Sequence, residues 1–123
     1  MTTPSLYDRV GGAPFFVELI DRFYDGVAAD PLLRPMYPDD LTDSRRHLAL
    51  FLMQYWGGPT TYSEERGHPR LRRRHAPHVV DVAARDAWLT HMRAALAAMP
   101  LEPADLDELS DYLETTANQL RNA

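Results

Sequence analysis

The sequence predicts an all-α protein. Apolar residues recur at spacings of three and four along several stretches, as amphipathic helices require. No stretch shows the sustained period-two alternation of a strand. Proline and glycine cut the chain into pieces of helical length, except at residues 59–80, which are the least regular part.

Each element has its own signals. Ser5 is placed to cap a short helix to Val10 that Gly11-Gly12 stops. Pro14 suits a first helical turn, and Phe15, Phe16, Leu19, Ile20, Phe23, Tyr24 and Val27 form an apolar stripe running to about Ala29. Asp30-Pro31 ends it, and Leu32 to Asp40 is read as a compact corner with at most a turn of helix. Thr42 or Asp43 can cap the next helix, with Leu48, Phe51, Leu52 and Tyr55 as its stripe and Gly57-Gly58-Pro59 as its stop. A short helix is expected to end near His75, because Ala76-Pro77 must close it. Asp81 can cap a helix with Trp88, Leu89, Met92, Leu96 and Met99 inward, stopped by Pro100. Glu102-Pro103 opens the last helix, with a stripe of Leu106, Leu109, Leu113, Thr116 and Leu120.

The 123 residues point to a single domain, 1–123, with 45% apolar and 10% aromatic residues, a globular composition. Cysteine is absent, which excludes disulfides, thiolate chemistry and Cys-held iron–sulfur clusters, and fits a reducing compartment. Met1 to Ser5 lacks the basic start and apolar run of a signal peptide, and no apolar run reaches the ~20 residues of a membrane helix. A cytoplasmic protein without membrane attachment is the expectation. The formal net charge of −5 disfavours nucleic acid. The one basic cluster, Arg70, Arg72, Arg73 and Arg74, lacks interleaved aromatics and reads as a solvated face.

The five histidines are His47, His68, His75, His78 and His91. His68, His75 and His78 match no recognised zinc spacing, and no cysteine completes a four-ligand set. Glu65 and His68 form one i, i+3 pair, whereas a di-iron bundle needs two on separate helices. Haem needs only one imidazole pointing from a helix into an apolar slot, so spacing alone cannot select it. From the residues alone, the reading stops at a helical domain with an unusual His/Arg-rich segment.

Longer motifs carry more. Tyr7-Asp8-Arg9-Val10-Gly11-Gly12, Arg22-Phe23-Tyr24, Tyr37-Pro38 and Gln54-Tyr55-Trp56-Gly57-Gly58-Pro59 occur in order. They are followed by Gly67-His68-Pro69-Arg70-Leu71, Arg74-His75-Ala76-Pro77 and Arg85-Asp86-Ala87-Trp88-Leu89. Order and spacing over nearly the whole chain resemble the group II truncated haemoglobins. The resemblance implies a truncated globin in which two helix pairs sandwich a haem, with a long irregular segment before the proximal histidine. It makes His75 the iron ligand, its other ring nitrogen donating to a nearby backbone carbonyl. It assigns Tyr24, Tyr37 and Trp88 as polar distal groups, with Ser44 and Leu48 on the helix after the corner. Phe23, Phe51, Leu52, Met53 and Met92 become wall candidates, each equally readable as core. Tyr62, Arg66 and Arg74 resemble the family's partners for the haem propionates, with His47 where the family often has Lys or Arg.

The function so implied is reversible binding of O₂, CO and NO to haem b, with slow O₂ release suited to redox, sensing or scavenging roles. The alternative is a haem peroxidase or NO-detoxifying oxidoreductase with an external reductase. A third is a haem-free helical module that uses the arginine face. A homo-oligomer is compatible with each.

Overall fold

The computed structural model describes residues 3–75 and 79–123, and the side chains of Arg72 and Arg74 lie outside it. Ala76, Pro77 and His78 fall outside the described residues. The described residues are helical with no strand. No helix among them is long and apolar enough to cross a membrane.

Ser5 caps α1 (Leu6–Arg9), its Oγ accepting from the Asp8 amide at 3.2 Å. In α2 (Ala13–Ala28), Pro14 sits in the first turn and the predicted stripe is buried from Phe15 to Val27. The corner after it contains one 3-10 turn, Arg34–Met36. Next comes α3 (Thr42–Tyr55). Neither Thr42 nor Asp43 caps it. The Asp40 carboxylate accepts the Thr42 amide at 2.9 Å instead, because Thr42 is already inside the first turn. The irregular segment holds two short helices, α4 (Thr61–Arg66) and α5 (Leu71–His75), the second ending at the expected histidine. Asp81 caps α6 (Val82–Ala97) by accepting the Ala84 amide at 2.8 Å. Pro103 opens α7 (Pro103–Leu120).

Helix α2 packs across both α3 and α6, α6 packs on α7, α5 leans on α7 and α4 on α3. Phe16, Leu19, Ile20 and Phe23 of α2 are fully buried at the centre. Burying each such side chain contributes about 1.5–3 kcal/mol. An aromatic column extends the core: Phe16 stacks on Tyr7 at 5.9 Å and on Trp56 at 6.2 Å, and Trp56 meets Tyr112 edge-on at 5.1 Å.

Three helices depart in part from their predicted stripes. The residues of α3 that bury are Ala49, Leu52 and Met53, while Tyr55 is 52% exposed and stacks on Tyr112. Those of α7 are Asp105, Leu109, Leu113 and Ala117, with Leu106, Thr116 and Leu120 only half-buried. Trp88 on α6 is half-buried too. A cavity accounts for most of them. Leu48, Phe51, Trp88, Thr116 and Leu120 face it instead of a packed neighbour.

Candidate functional site: an apolar cavity with one histidine

The cavity opens between α3, α5, α6, α7 and the corner after α2, with a volume of about 140 Å³. Leu48, Phe51 and Leu52 of α3 form one wall, and Leu113, Ala117 and Leu120 of α7 another. Leu33, Met36 and Tyr37 reach in from the corner, and Ala84, Arg85 and Trp88 from α6.

Among the described residues, His75 is the one imidazole in the lining. Its Nδ1 lies 2.7 Å from the carbonyl oxygen of Leu71, one helical turn back and also in the lining. A carbonyl only accepts, so Nδ1 carries the proton and donates. In the neutral ring Nε2 then keeps its lone pair. The chain's end holds this segment in place. Asn122 and Val80 exchange two hydrogen bonds of 2.8 Å, and the Asn122 amide reaches the His75 carbonyl at 3.5 Å.

Tyr37 and Trp88 bring polar atoms into the apolar lining from facing elements. Burial pushes the Tyr37 hydroxyl up to about 12, partly offset by its interaction with the Trp88 side chain. The indole N–H is donor-only. Tyr24 does not line the cavity; it stands one layer back. Its ring meets Tyr37 edge-on at 5.6 Å and Phe23 at 5.0 Å, and the Arg45 guanidinium sits 5.8 Å over its face. Burial raises the Tyr24 pKa strongly, Tyr37 raises it further, and Arg45 opposes both.

The structure places the predicted residues unevenly. His75, Tyr37, Trp88, Leu48, Phe51 and Leu52 share the lining. Phe23 and Met92 do not. They are core side chains on faces of α2 and α6 packed against each other, with Phe23 backing Trp88 at 5.1 Å. Met53 turns to the opposite face of α3, where with Val17, Ala49 and Leu50 it lines an open groove beside α2. Ser44 is half-buried outside the lining, one turn before Leu48.

The predicted propionate group lies to one side of the lining. Tyr62 is buried behind Phe51 at 5.5 Å, while His47 Nδ1 and the Arg66 guanidinium are in contact. Burial, then the nearby Arg66 charge, lowers the His47 pKa, with Asp43 opposing. The Arg74 side chain lies outside the described residues.

The sequence reading missed the α7 wall: Tyr112, Leu113, Thr116, Ala117 and Leu120 are all in the lining. Their spacing of one, three and four residues is a helix face, but it reads equally as core. It also missed Arg85, the charged arginine of the described lining, which is stitched to Asp86 Oδ1 at 3.0 Å and to Asn118 at 3.2 Å.

Two helix pairs around an apolar cavity, with a histidine whose tautomer is set by a backbone carbonyl, are the architecture of a truncated globin. The chain belongs to the bacterial-like globin family, whose model matches residues 5–122. It is 43% identical over 116 residues to group 2 truncated haemoglobin YjbI of Bacillus subtilis, covering 94% of this chain and 87% of that one. It superposes with a TM-score of 0.96 on the thermostable haemoglobin of Thermobifida fusca, at 52% identity and 98% coverage of both chains. The truncated oxygen-avid haemoglobin of B. subtilis superposes with a TM-score of 0.92 at 41% identity, covering 97% of this chain and all of the other. Membership of a globin family implies haem binding and binding of diatomic ligands.

Proposed function

We propose that the cavity holds haem b, with His75 Nε2 as the proximal iron ligand, and that the protein reversibly binds O₂ and other diatomics. The observation that carries this reading is the 2.7 Å bond from His75 Nδ1 to Leu71, both in the lining of an apolar cavity. The donor set of the described residues suits a five-coordinate haem: one neutral imidazole, no thiolate in the chain to compete, and a lining otherwise mostly apolar. Haem would supply the ferrous centre at which a diatomic ligand binds.

The chain's own residues do the rest. Tyr37 and Trp88 present donors to a small polar ligand, and Leu48 and Phe51 keep the surrounding space apolar and exclude water. Tyr24 supports Tyr37 from behind. Arg66, held against His47, and Tyr62 are assigned to the propionate edge. The B. subtilis relative is described as oxygen-avid. With two donors in its cavity wall, this chain is assigned slow ligand release, a property suited to sensing, scavenging or redox chemistry better than to transport. We assign the whole chain, 1–123, to one cytoplasmic domain, with an external reductase as its partner where turnover occurs.

The test is the visible spectrum of the purified protein, oxidised, reduced, and reduced under CO and O₂. A Soret band that moves on reduction and again with each gas is expected. No Soret band, even after haemin is added, would overturn the reading.

A further inference from the structure

The corner that carries Tyr37 is held more firmly than a loop between helices requires. The Arg34 guanidinium turns back along the chain and donates to successive carbonyls. Its Nη1 reaches Pro38 O at 2.8 Å and, more weakly, Tyr37 O at 3.4 Å, and its Nη2 reaches Asp39 O at 2.7 Å. The corner's front end is held as well. Asp30 Oδ1 accepts the Leu32 amide at 2.8 Å, and Asp30 Oδ2 lies 2.7 Å from His91 Nε2. His91 is on α6, three residues after Trp88. The corner bearing Tyr37 is therefore pinned at one end to the helix bearing Trp88, and at the other by Arg34.

We propose that Arg34 is a positioning residue: by clamping the carbonyls that follow Tyr37, it sets where the Tyr37 hydroxyl stands against Trp88 in the cavity wall. The geometry leaves Arg34 few other tasks. It does not line the cavity. Its described bonds all go to the corner's own backbone, spanning only residues 34–39. Tyr37 itself is extended, with φ −120° and ψ 156°, just past the 3-10 turn. Extended backbone at a turn's end has no ladder to fix it, so the carbonyl clamp supplies the missing constraint. A planar guanidinium can bridge two carbonyls from two nitrogens at once, which an ammonium cannot do with the same geometry.

The inference rests on the haem reading for its consequence but not for its geometry, and the experiment separates the two. In the haem-free chain, amide hydrogen exchange is measured at Met36 and Tyr37, whose amides bond to Leu33 O and Arg34 O. Arg34→Met is expected to speed their exchange roughly tenfold, with Arg34→Lys intermediate. In the haem-loaded chain, the CO stretching band is compared among wild type, Arg34→Met, Tyr37→Phe and the double variant. Arg34→Met is expected to shift and split the band, and to add nothing once Tyr37 is Phe. Unchanged exchange would overturn the clamp. Faster exchange with an unmoved band, or an equal shift in the Tyr37→Phe background, would overturn the link to the hydroxyl. Should the wild type take up no haemin, the haem reading falls, and exchange alone decides whether Arg34 holds the corner.

Discussion

His75 Nδ1 lies 2.7 Å from the carbonyl oxygen of Leu71, and both residues belong to α5, only five residues long. So short a helix contributes little stability of its own. The side-chain bond and the Asn122–Val80 pair therefore carry much of the burden of holding the ring. His75→Gly is expected to abolish the five-coordinate ferrous spectrum, and added imidazole to restore it. His75→Gly that keeps a normal spectrum without imidazole would move the iron ligand elsewhere.

Trp88 and Tyr37 are expected to act as one unit, because both stand in the same cavity wall. Trp88→Phe removes a donor from the cavity wall and should speed O₂ release about tenfold, the equivalent of roughly 1.4 kcal/mol. Tyr37→Phe should give a smaller change, and the double variant less than the sum, as coupled neighbours do. Stopped-flow displacement of O₂ by CO measures all four. An unchanged rate in Trp88→Phe would reduce Trp88 to packing.

The buried carboxylate of Asp105 was invisible in the sequence, since an acidic residue in a first helical turn is ordinarily solvated. In the structure it is only 9% exposed, and the Arg9 Nε lies 3.0 Å from it. Arg9 also reaches Glu108 and the Pro4 carbonyl, which ties α1 and the chain's start to α7. Arg9→Met leaves Asp105 without that partner and should cost about 1–3 kcal/mol in urea unfolding. Arg9→Met with Asp105→Leu should recover part of the loss. A double variant as unstable as Arg9→Met would deny Asp105 that role.

The long helices were legible because each carries a stripe bounded by its own stop, as α2 does between Gly12 and Asp30-Pro31. The site was legible only in part. Periodicity marks Leu48, Trp88 and Thr116 as inward, but it cannot say whether inward means core or cavity wall; that depends on which helices stand apart, a tertiary property. The same ambiguity hid the separation of Tyr24 from Tyr37. Both are aromatic and close in the chain, yet one backs the other. Motif resemblance singled out His75, while the Leu71 carbonyl that sets its tautomer emerges only from the turn geometry of α5.

High pH tests the buried tyrosines, because the chain has no lysine to titrate alongside; burial raises Tyr112 as well. Tyr37 is pushed up to about 12 and Tyr24 is also raised strongly, both by burial first. A raised folded value means the unfolded chain releases its proton first. Their contribution is thus full below about pH 10, the ordinary tyrosine value, and is lost as pH rises toward the folded values. Each should steepen the fall by up to about 1.4 kcal/mol per pH unit. Urea unfolding at successive pH values above 9 should show this fall, and Tyr24→Phe should flatten it. An identical slope in Tyr24→Phe would mean that the buried phenol titrates freely.

Gly26 should reverse the sign of its effect with its neighbour. It lies on the face of α2 that meets α6, and a Cβ there would stand 2.5 Å from His91 Nδ1 and 3.1 Å from Cγ. Those atoms are near the ring's root, and the ring is tethered by Asp30 at 2.7 Å, so it cannot swing aside without breaking that bond. The Asp30 bond to His91 also holds the Asp30 carboxyl below its ordinary range, so the pair's contribution is present at neutral pH and lost on acidification. Alanine in a helix interior is worth about 1 kcal/mol over glycine, whereas the forced contact costs about 1–3 kcal/mol. Gly26→Ala is therefore expected to destabilise the wild type at neutral pH. In a His91→Ala background the contact is gone and only the helix gain remains, so the same substitution should stabilise by up to about 1 kcal/mol. Thermal and urea unfolding of the four proteins read this directly. Destabilisation of equal size in both backgrounds would mean that Gly26 serves some contact other than His91.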